Sequence, residues 1–354
     1  MKKRAISILL TSAMLASSLA AGAVTVRAEE EKKDKYVIGM SQCNLGEPWR
    51  VAMNDQIAAA AEKYPEFEVI FADAAQDNSK QIADIENFVQ MGVDLLMVSP
   101  NEATPLTNAV SAAYDAGIPV ILLDRKIDGD KYTQFIGADN VDMGRIAGEY
   151  VADVLLPDGG TVCEIKGLEG TSGGIDRDKG FREGIAKNDK IEIVAENNAD
   201  WLREKAITVA EEMLQTNDDI DVFLALNDPM AEGAYIAAKN AGREGDIKFI
   251  GFDGLPTPDG GIRSVIDGRL SMTQVYPTGG AEAIESAYQL LVEGKELDKT
   301  LTLESEIVTT DNAEELLEKY GGSSDGETAE ETTEEATEET AEETTEETTE
   351  ETAE

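Results

Sequence analysis

The feature that most constrains this chain is a rhythm of short branched apolar runs, each stopped by polar residues and followed by a segment of helical periodicity. The clearest run is Val120–Leu123, entered through Gly117-Ile118-Pro119 and halted at Asp124 and Arg125. A run this short between turn residues reads as a strand buried on both faces. Similar runs at Tyr36–Ser41, Glu68–Ala74 and Asp94–Ser99 are separated by helical patterns at Arg50–Lys63, Ser79–Met91 and Thr104–Ala116. After Phe135–Ala138 the rhythm restarts. It gives strands at Thr161–Ile165, Ile191–Ala195, Asp221–Leu226 and Lys248–Phe252, with helices at Val141–Leu155, up to Lys187, Leu202–Gln215 and Pro229–Ala241. The alternation predicts an α/β fold of two doubly wound parallel-sheet lobes in tandem. A helix around Pro258–Asp267, a strand Leu270–Tyr276, a helix Gly279–Glu293 and a strand Leu301–Thr309 remain to close both lobes. The expected division is 36–138 plus 276–303 for the first lobe and 139–275 plus 304–320 for the second, joined by a hinge of several crossings.

Both ends lie outside this pattern. Lys2, Lys3 and Arg4 precede an apolar run from Ala5 to Ala23, and Val26-Arg27-Ala28 places small residues at a cleavage site, so residues 1–28 read as a secretory signal peptide. The mature chain is then expected outside the cytoplasm, in a periplasm or at a cell surface, without stable membrane insertion. Residues 321–354 hold 15 acidic residues and no basic one in a Glu/Thr/Ala repeat, which cannot bury enough surface to order itself. The tail reads as a solubilising segment or a tether. The formal charge of −42 leaves −27 without the tail, a surface that repels nucleic acid and anionic lipid. Cys43 and Cys163 are the only cysteines, far apart in sequence, and outside the cell they could form a disulfide.

In open α/β sheets ligands bind beyond the carboxyl ends of the strands. Polar and aromatic residues recur there in this chain. The first lobe gives Ser41, Gln42, Glu47, Trp49 and Arg50, then Asp124 and Arg125; the second gives Arg177, Trp201, Asn227 and Asp253. Alone, Asp124 and Arg125 could equally be a surface ion pair. Trp49 and Trp201, the only tryptophans, fall one in each lobe in polar loops after strands. Two apolar faces opposed across a cleft would hold a sugar ring, with carboxylates, Asn and Arg taking its hydroxyls. Gly170-Thr171-Ser172-Gly173-Gly174 matches a nucleophile elbow, but the chain has no histidine to act as its base. The same lack, with two distant cysteines, argues against common zinc sites, and no cofactor is expected.

Taken together, LLDR at Asp124, IGADN ending at Asn140, the Gly-Thr-Ser loop running to Arg177 and Phe181, LALND at Asn227 and GFDG at Asp253 resemble the type I periplasmic sugar-binding proteins of ABC importers, in the ribose-binding-protein family. The resemblance spans Tyr36 to about Tyr320. It implies a non-enzymatic, monomeric protein that closes on a monosaccharide and delivers it to a membrane permease and its ATPase. By position it assigns hydroxyl contacts to Asp124, Arg125, Asn140, Arg177, Asn227 and Asp253, a ring contact to Trp201, and a contact on the returning strand to Gln274. Ser41-Gln42 with Trp49-Arg50 looks like the galactofuranose-binding branch. A sugar-sensing component of a chemoreceptor or kinase system is the alternative, and a secreted glycosidase a more distant one.

Overall fold

The computed structural model describes residues 33–321; the expected signal peptide and nearly all of the acidic tail lie outside them. The first sheet is formed by β1 (Tyr36–Gln42), β2 (Phe67–Asp73), β3 (Leu95–Val98), β4 (Val120–Leu123), β5 (Gln134–Ala138) and, from late in the chain, β11 (Thr300–Leu303). Its order is β11-β5-β4-β3-β1-β2 and every pair is parallel. Alternate residues serve its two faces. Ile38, Met40, Leu95, Met97, Ile121 and Leu123 share one core with α1 (Pro48–Ala61) and α9 (Gly280–Leu291), while Leu96, Val98, Val120 and Leu122 pack with α2 (Asn78–Met91) and α3 (Ala103–Asp115). Burial on both faces is why these strands carry no polar alternation.

The second sheet, β7-β6-β8-β9, is also parallel: β6 (Gly160–Lys166), β7 (Ile191–Asn198), β8 (Val222–Ala225) and β9 (Lys248–Ile250). Around it lie α4 (Asn140–Tyr150), α5 (Ser172–Ile185), α6 (Arg203–Thr216), α7 (Asp228–Asn240) and α8 (Gly261–Ile266). Single bridges at Ile250–Met272 and Asp253–Val275 attach β10 (Thr273–Val275), which pairs antiparallel with β12 (Glu306–Val308). The chain therefore passes between the sheets after β5, after β10 and after β11, and ends in α10 (Ala313–Lys319).

Four expectations change in detail. The run Leu301–Thr309 is two strands, because the chain leaves the first sheet at Leu303 and joins β10 from Glu306. The returning strand covers only Thr273–Val275, since Pro277 has no N–H to extend a ladder. The helix read to Leu155 is α-helical to Tyr150 and then widens into a π-turn, Val151–Leu155. Trp49 is in the first turn of α1 beside Pro48, not in the loop before it, because proline fits where a helical N–H would be unpaired. Cys43 and Cys163 are separate buried thiols, and burial pushes Cys163 up to about 11.

Helix starts fix several strand-end residues. The Asp139 carboxylate caps α4 by accepting from the N–H groups of Val141 and Asp142, and Asn227 caps α7 through Met230. Helices α4 and α5 meet at Gly144 and Gly180. A β-carbon on Gly144 would collide with the carbonyl of Arg177, and one on Gly180 with that of Val141. Only glycine permits this approach, which sets Arg177 against the start of α4.

Candidate functional site

A closed cleft lies between the strand ends of the two sheets, its walls drawn together to a cavity volume of only about 20 Å³. Nine residues expected from the sequence line it: Glu47, Trp49, Arg50, Asp124, Arg125, Arg177, Trp201, Asn227 and Asp253. Tyr276 and Gly173 complete the wall.

On the first-sheet side Asp124 is the centre of charge. Its Oδ2 accepts from Arg50 Nη2 at 2.5 Å and lies 3.6 Å from Arg125 Nε, and its Oδ1 accepts from the Tyr276 hydroxyl at 2.6 Å. Burial alone would raise this carboxyl, but Arg50 and Arg125 outweigh it and, with the Tyr276 hydroxyl, hold it below the usual carboxylate range. Arg50 is in turn fixed by Ser99 Oγ at 2.8 Å, and Arg125 by the carbonyl of Asn101 at 2.9 Å. Glu47 lies 3.8 Å from Arg50 Nε and accepts from Asn44 at 2.8 Å.

On the second-sheet side Arg177 donates to Asn140 Oδ1 at 2.6 Å and to the carbonyl of Leu226 at 2.5 Å. Its guanidinium lies 4.9 Å from the Tyr276 ring and 5.8 Å from that of Trp201, while Arg125 reaches the Trp201 ring from the other sheet at 5.6 Å. Asn227, besides capping α7, donates to the carbonyl of Trp201 at 3.1 Å. Trp201 packs on Gly167, where any β-carbon would overlap its indole. The Asp253 carboxylate accepts no hydrogen bond from any described residue. Burial and the neighbouring Asp228 raise it well above an ordinary carboxyl, against the pull of Arg177.

Four expected residues stand outside the wall. Ser41 is fully buried, and Gln42 turns inward to Asn54 at 3.1 Å. Asn140 sits one layer behind, holding Arg177 and donating to the Tyr276 hydroxyl at 3.3 Å. Gln274 donates to the carbonyl of Met143 at 2.7 Å, spent on the join between β10 and α4. The elbow serine, Ser172, accepts from the backbone N–H of Lys126 across the lip of the cleft.

Tyr276 is the residue that sequence reasoning passed over. Its ring stacks on Trp49 at 5.0 Å and its carbonyl accepts from the Trp49 indole at 2.8 Å, so the partner of Trp49 is a hinge tyrosine and not the other tryptophan. The signal was present: Tyr276 stands at the end of the predicted strand Leu270–Tyr276, the position that elsewhere marks the site.

Three guanidiniums, three carboxylates, an amide and aromatic faces in one closed space suit a neutral polyhydroxylated ring. Residues 38–296 match the family described as the periplasmic binding protein domain. The chain is 35% identical over 305 residues to the ribose import binding protein of Bacillus subtilis, covering 85% of this chain and 97% of that one. It is 31% identical over 291 residues to the galactofuranose-binding protein of Escherichia coli, covering 80% and 90%. Among solved structures it superposes on the fructose-binding periplasmic domain of a hybrid two-component system with a TM-score of 0.78 at 40% identity, covering 80% and 94%.

Proposed function

The chain belongs to the periplasmic binding proteins, as a type I sugar-binding member of the kind that serves ABC importers, and we propose that its ligand is a sugar in the furanose form. It is a binding protein and not an enzyme, like its relatives. The observation that carries the furanose reading is the pairing of Trp49 with Arg50 at the start of α1. Trp49 is occupied by Tyr276 on one face, and Arg50 puts a guanidinium where a second aromatic would give a flat apolar wall. A five-membered ring with an exocyclic chain of hydroxyls offers such a donor more acceptors than a pyranose chair stacked by its C–H face does. Galactofuranose is the ligand named for one relative.

In this reading Asp124, Arg125 and Arg50 take hydroxyls from one side and Arg177, Asn227 and Asp253 from the other. Three buried polar groups at the cleft support it: Arg50 Nε and Trp201 Nε1 have no hydrogen-bond partner, and Asp253 accepts none. Hydroxyls reaching both sides would favour the closed arrangement over an open one. We further read residues 1–28 as a removed signal, and a permease with its ATPase as the recipient of the sugar. No helix among the described residues is long and apolar enough to cross a membrane. The hybrid two-component relative supports a second reading, in which the closed form is passed to a sensor instead.

Titration of tryptophan fluorescence with D-galactose, methyl β-D-galactofuranoside, D-fructose, L-arabinose, D-ribose and D-glucose tests the ligand class. A saturable response at micromolar furanose, about −8 kcal/mol, with glucose at least a hundredfold weaker, is expected. Preference for glucose would overturn the furanose reading, and silence to every sugar the choice of site.

A further inference from the structure

A separate hollow, with a cavity volume of about 520 Å³, opens on the first lobe where β5 and β11 begin, at the end of the sheet away from the cleft. Its lining includes four acids and one base, Lys63. The acids stand as two pairs on separate elements: Glu282 and Glu285, three residues apart on one face of α9, and Glu296 with Asp298 in the chain before β11. The neighbouring lysines are engaged elsewhere. Lys295 pairs with Glu293 at 2.7 Å, and Lys299 donates to the carbonyls of Asp130 and Tyr132. The Tyr64 hydroxyl, at 2.6 Å, and the Gln289 amide, at 3.0 Å, donate to Glu285 and hold its carboxyl below the usual carboxylate range. The Tyr64 ring, which also lines the hollow, is braced by Tyr288 at 4.5 Å. The acids do not carry the argument alone. Gln134, the first residue of β5, is buried in the same wall; its amide nitrogen donates to the carbonyl of Asp298 at 3.0 Å, and its Oε1 has no hydrogen-bond partner. A buried amide oxygen left unpaired opposes folding, and at a cavity wall it is a place for a donor. Among the described residues no three acids converge closely enough to hold a metal ion. The fitting ligand therefore carries several N–H donors, with its positive charge spread along a chain.

We propose that this hollow binds a linear aliphatic polyamine, whose separated ammonium groups meet the two pairs of carboxylates while one N–H reaches Gln134 Oε1. The methylenes between the charges lie along the Tyr64 ring, and an ammonium beside that ring gains from its face as well. The hollow shares no residue with the sugar cleft, so the two ligands bind without competing.

Calorimetric titration of the full chain with spermidine and with magnesium chloride, at about 0.15 M sodium chloride to screen scattered surface charge, tests this. Spermidine binds with a dissociation constant below about 1 mM. Glu282→Gln combined with Glu296→Gln removes one acid from each pair and weakens spermidine about tenfold or more. Glu330→Gln combined with Glu331→Gln removes the same charge from the acidic tail and changes the affinity less than about twofold. Gln134→Leu takes away the buried acceptor without altering charge and weakens spermidine about threefold or more. Absence of spermidine binding overturns the proposal. Equal losses in the two double variants also overturn it, because the attraction would then belong to the charge of the chain as a whole. Magnesium that binds as tightly as spermidine and weakens in the same variants overturns it in favour of a metal site.

Discussion

At the scale of single residues the site is a set of charges held by other charges. Asp124 has a donor on each oxygen, Arg50 on one and Tyr276 on the other, which leaves one lone pair on each for a ligand hydroxyl. Asp124→Ala should weaken sugar binding by roughly 10- to 150-fold, from the loss of one charge-assisted hydrogen bond. It should also lower stability, because buried Arg50 then keeps only Glu47, at 3.8 Å, as counter-charge. Calorimetry and urea unfolding read the two effects separately. Tyr276→Phe keeps the stack on Trp49 and removes only the hydroxyl, so affinity should fall about tenfold, some 1.5 kcal/mol, with little change in the unfolding midpoint. An equal loss of both would make Tyr276 a packing residue.

At the scale of elements the glycines of α4 and α5 matter as much as the charged residues. Gly144→Ala forces the helices apart where the carbonyl of Arg177 now sits, so the Arg177 guanidinium should move away from Asn140 and Leu226. Lower thermal stability together with weaker sugar binding is expected, whereas unchanged affinity in a destabilised variant would separate the helix contact from the site. Much of this level was legible in the sequence. Runs such as Val120–Leu123 are buried on both faces, so their composition alone identifies them as strands, and the polar residue after each marks the ligand side. What was not legible is which way a polar side chain turns. Gln42 and Gln274 follow the same rule as Asp124, yet each is taken by a neighbouring element, α1 for one and α4 for the other. Asn54 lies 12 residues from Gln42 and Met143 lies 131 from Gln274, and in neither case does a local pattern record the pairing. Trp49 shows the same limit: a single proline moved it from a loop into a helix.

At the scale of the whole molecule, three passages of chain join the two sheets, and a rotation of one sheet against the other would turn on them. Addition of a binding sugar should reduce the radius of gyration in X-ray scattering and slow amide exchange at 276–279 and 304–306. A ligand that binds without compaction would place recognition within one lobe. Stability should also depend on pH through Glu164, in the middle of β6. Burial and the nearby Asp178 push its carboxyl up to about 8, against Lys166 and Arg182. Folding therefore takes up a proton. That contribution is complete below the unfolded value of about 4.3 and is lost as pH rises toward 8. Glu164→Gln should flatten the fall in melting temperature between pH 5 and pH 8, and a variant with the parent's slope would put the titration elsewhere.

Asp253 combines a left-handed backbone, a buried carboxylate without a protein donor, and a neighbouring acid in Asp228. Each of these opposes folding, so the native state would be sturdier without this side chain. A population of variants bred for heat resistance alone should drift at this position early, toward glycine or asparagine, and arrive at a durable protein that no longer captures sugar. If Asp253 holds the sugar as proposed, durability and capture are rivals at one α-carbon, and heredity keeps the less durable answer only while the sugar is worth catching.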